Sequence, residues 1–217
     1  MKGMRNTLYA MAFIAIIGCQ NGSTTQNEYK NQSVVTETQQ VREYSNEEKA
    51  FAGAAFGMSM NEVKSLEYYN DWRVEGKFLV NDFVELGFFT HYRGRLFFSK
   101  DDKLYQVVFQ SPMYHTADKY DLIKSDLTTF KKIIEESYGK PTYSYGVPSI
   151  YKIKNGFNTA YVWEIGNKKI ELSISKSSID ETYSFYGSIE DVAAMNKIRQ
   201  EGKETIDKLF KDSSSLF

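Results

Sequence analysis

The stretch from Lys169 to Ile174 sets the strongest constraint on how this chain can fold. Ile170, Leu172 and Ile174 alternate with Glu171 and Ser173, the two-residue period of a strand with one apolar and one wet face. The run Ala160 to Ile165 precedes it, and between them Gly166-Asn167 suits a tight turn needing positive φ. So short a link cannot cross over a sheet, so the two strands are antiparallel. The pattern recurs upstream, where residues 74 to 110 read as β. There Val84-Glu85-Leu86 and Phe88-Phe89 lead to His91, and Leu96-Phe97-Phe98 and Tyr105 to Phe109 flank Lys100-Asp101-Asp102-Lys103. Tyr151 to Ile153 followed by Asn155-Gly156 reads as another strand and turn, and Tyr183 to Ile189 as the last strand.

Helical periodicity separates these β segments. Residues 118 to 138 carry Ile123, Leu127, Phe130 and Ile134 at spacings of 4, 3 and 4, one apolar stripe on a helix that Asp118 can cap. Gly139 stands where a left-handed residue ends a helix, and Pro141 stops its continuation. Ser45 with Glu48 and Ser59 with Glu62 have the spacing of capping boxes, each predicting a short helix, the second ending near Tyr69. Ser188 or Asp191 can cap a last helix to about Lys211, with Val192, Met195, Ile206 and Leu209 on its apolar side. The order is helix, hairpins, helix, hairpins, helix. That is an α+β chain with an antiparallel sheet from β-hairpins and flanking helices, in an arrangement that suggests two helix-plus-hairpins repeats.

The first eighteen residues do not belong to that domain. Met1 to Arg5 carries Lys2 and Arg5, Leu8 to Ile17 is an unbroken apolar or aromatic run, and Gly18 precedes Cys19. This is the build of a secretory signal, and the run is shorter than the roughly 20 residues a membrane span requires. Residues 20 to 44 are rich in Gln, Asn, Ser and Thr, with Val34, Val35 and Val41 as the only aliphatics, and read as a flexible tether. The expected organisation is therefore a signal peptide over 1–18, an anchored cysteine and tether over 19–44, and a globular domain over 45–217.

Three segments resemble known patterns. Ile16-Ile17-Gly18-Cys19 resembles the bacterial lipobox. That resemblance implies cleavage after Gly18 and acylation of Cys19, palmitate among the chains, so that the membrane itself is a partner through the lipid. Gln20 stands where an Asp would signal retention at the inner membrane, which implies the outer membrane, facing the periplasm or the cell surface. Phe56-Gly57-Met58-Ser59-Met60-Asn61-Glu62-Val63 resembles the helix start of small periplasmic lipoproteins of the SmpA/OmlA type, related in fold to the β-lactamase-inhibitor protein. Here Tyr68-Tyr69-Asn70 stands where that pattern continues into Gly-Pro. Tyr138-Gly139-Lys140-Pro141, followed by Trp163 and Ile170-Glu171-Leu172, is similar to a pattern in secreted lipoproteins. These resemblances imply a tethered adaptor or inhibitor-like domain without catalysis.

Residue chemistry narrows the function classes. With a formal net charge of −1 the chain lacks the basic excess of a nucleic-acid binder. His91 and His115 stand apart, Cys19 is the only cysteine, and no metal-ligand spacing, serine elbow or phosphate loop occurs, so no cofactor and no metal is expected. Asp82 with Glu85, or Glu164 with Glu171, could pair as glycosidase carboxylates, although a chain with 28 acids offers many such pairs and solvated charges explain them as well.

The aromatic share of 15% is the compositional oddity of the folded part. Phe88, Phe97, Phe109 and Trp163 read as core, whereas Tyr68, Tyr69, Trp72, Tyr143 and Tyr145 are candidates for a recognition surface. The expectation is an envelope lipoprotein acting as a non-enzymatic interaction module toward an envelope protein, with glycan binding or processing as the alternative. Cys19→Ala should abolish metabolic fatty-acid labelling of the chain and free it from the lipid anchor. Labelling that persists would contradict the lipobox.

Overall fold

A computed structural model describes residues 42–86, 91–115 and 119–214. The leader, Cys19 and most of the tether lie outside these residues, as do Phe88, Phe89 and Asp118. From Arg42 onward the chain is one compact unit, and its architecture is α+β. Two strands, β1 (Lys49–Phe51) and β2 (Ala54–Ala55), form a small ribbon. A short helix α1 (Met60–Lys64) and a 3-10 turn (Glu67–Tyr69) lead to β3 (Arg73–Glu75), β4 (Phe78–Glu85), β5 (His91–Phe98) and β6 (Leu104–Gln110). Helix α2 (Tyr120–Tyr138) then leads to β7 (Tyr143–Ser144), β8 (Gly156–Ile165), β9 (Lys168–Lys176) and β10 (Tyr183–Asp191), and α3 (Val192–Ser214) follows.

The eight strands β3 to β10 make one antiparallel sheet in the order β3-β4-β5-β6-β10-β9-β8-β7. Each half is a four-stranded meander preceded by helix, so the connectivity repeats. The halves meet through their last strands, β6 and β10, in five registered pairs from Tyr186 opposite Gln110 to Glu190 opposite Gln106. This register places Val107 beside Ile189 and Phe109 beside Gly187 on one face, continuous with Leu96 and Tyr92 of β5 and with Ile170 and Leu172 of β9. Helix α2 lays Ile123, Leu127 and Phe130 on that face, where Phe130 meets Phe185 and Tyr92 at ring separations of 4.6 and 5.0 Å.

Local rules decide most element ends. Ser59 and Glu62 form the capping box of α1. Gly139, at φ 76°, ends α2, and its carbonyl accepts from the Trp163 indole at 2.9 Å, pinning the helix end to β8. Gly166, at φ 55°, makes the β8–β9 turn. Asp191 accepts from the Ala194 backbone N–H at the head of α3.

Four expectations are corrected. Ser45 and Glu48 do exchange capping hydrogen bonds, but the chain enters β1 instead of a helix because Ala50 and Phe51 turn onto the sheet. Residues Ile150–Lys152 form a 3-10 turn, not a strand, and Asn155-Gly156 opens β8 rather than joining two strands. Phe97 sits on the face away from α2, edge-on to Phe78 at 5.0 Å. Ile206, expected on the apolar side of α3, is exposed, and the α3 residues that face the β5–β6 turn are the earlier Ala194, Ile198 and Glu201.

Tyr69 and Trp72 are buried in the core, the indole at 2% exposure. The reason is Gly94 in β5. A Cβ there would come within 2.6 Å of the Trp72 ring and 2.8 Å of Val84, so the missing side chain is the slot the indole occupies. Gly94→Ala should therefore destabilise the domain by about 1–3 kcal/mol, the usual cost of overpacking a filled core. Urea denaturation would measure it, and a neutral result would show that the slot has slack.

Candidate functional site

Strand alternation gives the sheet a second face, turned away from α2. Its residues follow from the register. They include Arg73 on β3; Phe78, Val80 and Asp82 on β4; Arg93, Arg95 and Phe97 on β5; Gln106, Val108 and Gln110 on β6; Tyr186, Ser188 and Glu190 on β10; Lys169, Glu171 and Ser173 on β9; and Phe157, Thr159, Val162 and Glu164 on β8. A sheet whose faces were both packed would carry apolar residues on both. This one mixes aromatic, guanidinium and carboxylate groups, with α3 near one end only.

The aromatics form three groups. Phe78, Phe97 and Tyr105 make a row, with ring separations of 5.0 and 6.3 Å. Phe157 contacts Tyr186 at 4.4 Å. Tyr143 and Tyr145 lie nearly parallel, 12° apart with centroids at 6.4 Å, both exposed. Between the groups run two polar clusters. Asp82 accepts from Arg73 at 2.7 Å and pairs with Arg93 at 2.9 Å. The Arg73 hydrogen bond, with Arg93 and Arg95 nearby, holds the Asp82 carboxyl below the usual carboxylate range. Arg95, half-buried at the middle of the face, makes no ion pair with another described residue.

The second cluster centres on Glu171. Thr159 and Ser173 hydroxyls donate to one carboxylate oxygen at 2.6 and 2.9 Å, and the Lys169 ammonium donates to the other at 2.8 Å. Burial opposes ionisation of Glu171, but these hydrogen bonds outweigh it and hold the carboxyl below its ordinary value. Tyr143, Tyr145, Thr159, Glu164, Lys169 and Glu171 line one shallow depression at the β7–β8 edge.

The structure thus divides the five aromatic candidates. Tyr143 and Tyr145 line that depression together. Tyr68 is partly exposed, but Tyr69 and Trp72 present no surface to a ligand, and the Tyr69 hydroxyl is spent on the Phe51 carbonyl. Burial, with Tyr68 beside it, pushes the Tyr69 phenol far above its ordinary range. Glu164 and Glu171 share the depression, yet Glu171 is held ionised, whereas a glycosidase general acid needs a raised pKa. Asp82 is committed to two arginines. Among the described residues no group of three His, Cys, Asp or Glu converges on a point, and no helix is long and apolar enough to cross a membrane.

Sequence reasoning missed Lys168. It continues the apolar side of β9 and is fully buried. Its ammonium donates to the carbonyls of Asn46 and Lys49 at 2.6 and 2.9 Å and to the Tyr138 hydroxyl at 2.8 Å, so it fastens the incoming segment and the end of α2 to the sheet. The position alternates correctly, but nothing in the pattern marks a lysine as inward. Burial, helped by the Lys49 charge, lowers its pKa to about 8.

Compared with known proteins, the chain matches no family model, and no curated protein and no solved structure matches it significantly.

Below pH 8 Lys168 is charged in both folded and unfolded chains. Between about 8 and 10.5 the folded chain gives up a proton that the unfolded chain still holds, so this group makes stability rise with pH. Urea midpoints at pH 7.5 and 9.5 should show the rise, and Lys168→Met should flatten it. An unchanged difference between the two midpoints would contradict the assignment.

Proposed function

We propose that this chain is a lipid-anchored envelope protein whose open sheet face docks another envelope protein without turning it over. One observation carries the proposal. An eight-stranded sheet, packed on one side by α2, leaves on the other rows of aromatic rings and an arginine, Arg95, that forms no ion pair with another described residue. Interfaces draw most of their energy from such aromatic and arginine side chains, which bury large areas at the centre of the contact. A polar surface serving only solubility would be rich in Lys and Glu instead. The lipobox-like Ile16 to Cys19 and the polar residues after it support attachment at the envelope, with a tether suited to presenting this face clear of a membrane.

The parallel Tyr143 and Tyr145 beside Glu164, Lys169 and Glu171 favour a second reading, a glycan lying on the two rings with its hydroxyls bonded to the carboxylates. The two readings separate by position. A photoreactive residue at Phe97 in the full chain, expressed in its own cells, should crosslink an envelope protein, and Arg95→Glu should lower the yield about tenfold, the loss expected for an interface hot spot. If Arg95→Glu leaves capture unchanged while Tyr145→Ala abolishes binding to glycan polymers, the glycan reading replaces the first.

A further inference from the structure

The packed side of the sheet is not fully packed. Between α2, the β1–β2 ribbon and the sheet lies a cavity of about 410 Å³. Its walls are Phe109 of β6, Phe130 and Ile134 of α2, Ile170 and Leu172 of β9, and Ile189 of β10. The sequence leaves the space at the ribbon above, which spans Ala50 to Ala54 with only Phe51 as a large residue, while Gly187 lines it from β10 without a side chain, its Cβ position crowded by the Phe185 ring at 3.1 Å. Protein cores are otherwise close-packed, with few voids larger than a water molecule. The cavity falls within the roughly 300–1,000 Å³ of small-ligand pockets and has their mainly apolar lining.

Its mouth is polar and basic. Lys49 and Ile133 line the cavity and are both exposed, so the apolar interior reaches solvent beside an ammonium group. Lys49 makes no ion pair with another described residue. Lys168, whose ammonium bonds the Lys49 carbonyl, adds a second positive charge nearby, without a carboxylate among its partners. An apolar chamber with a basic rim complements an amphiphile that has one flexible apolar chain and an anionic head.

We propose that this cavity binds a single-chain carboxylic acid of the fatty-acid class, its chain among Phe130, Ile134, Ile170 and Leu172 and its carboxylate at Lys49. The site lies on the opposite face of the sheet from the docking surface and does not depend on that reading.

Cells expressing the full chain would be fed palmitic acid bearing a diazirine and an alkyne, irradiated, and the labelled peptides mapped. A parallel culture would receive a phosphatidylcholine carrying the same photoreactive chain. Label on Cys19 independent of light reports covalent lipidation and is set apart. Light-dependent label from the free acid should fall on α2, β9 and β10. Ile134→Trp, which fills the cavity, and Lys49→Glu, a surface change that leaves the core intact, should each reduce it roughly fivefold or more, as for loss of a charge-assisted contact at Lys49. Label elsewhere in the domain, label that survives Lys49→Glu, or label from the phospholipid alone would overturn the proposal.

Discussion

The β6–β10 pairing is the constraint on which the rest of the structure depends. Each meander alone would leave its last strand, β6 or β10, as an open edge. Joined through five registered pairs, they form one sheet wide enough for α2 to close on one side. The same register sorts the side chains. Val107, Phe109, Phe185 and Ile189 turn to the helix, and Gln106, Gln110, Tyr186 and Glu190 turn away. A slip by one residue would exchange these sets, turning Gln106 and Glu190 into the apolar core and Phe109 away from it. The core and the candidate interface are therefore two consequences of one alignment.

How much of this was legible in the sequence depended on whether the signal was local. The stripe on α2, the Ser59–Glu62 box, the Gly166 turn and the alternation along β9 are short-range, and each appears in the structure. The Ser45–Glu48 box formed locally too, yet a helix did not follow, because packing on the sheet decided what came next. Trp72 could not be placed from its neighbours Tyr68 and Tyr69, since the slot that holds it is made by Gly94, on another strand. Phe97 and Phe109 look alike in sequence, and only the register puts them on opposite faces. Lys168 follows the strand period and still contradicts its composition, for two of its three partners are backbone carbonyls more than a hundred residues away.

The two faces suggest a division of labour. The helix-side face is stabilised by aromatic packing around Phe130, Phe185 and Tyr92, and by the Lys168 clasp. The other face keeps its charged groups ionised through mutual hydrogen bonds, as at Asp82 and Glu171, and holds its aromatic rings at the surface. Such a face is ordered before any partner arrives, which limits the entropy lost on docking.

Hydroxyl-radical footprinting of the chain, purified and in the intact envelope, tests the central claim most directly. In the purified protein Tyr143, Tyr145, Phe78 and Phe157 should be oxidised and Tyr69, Trp72 and Tyr92 spared. In the envelope, oxidation of the first group should fall while exposed residues away from that face, such as Leu122 on α2, stay as reactive as before. Equal oxidation of the sheet-face aromatics in both settings would contradict a docked partner.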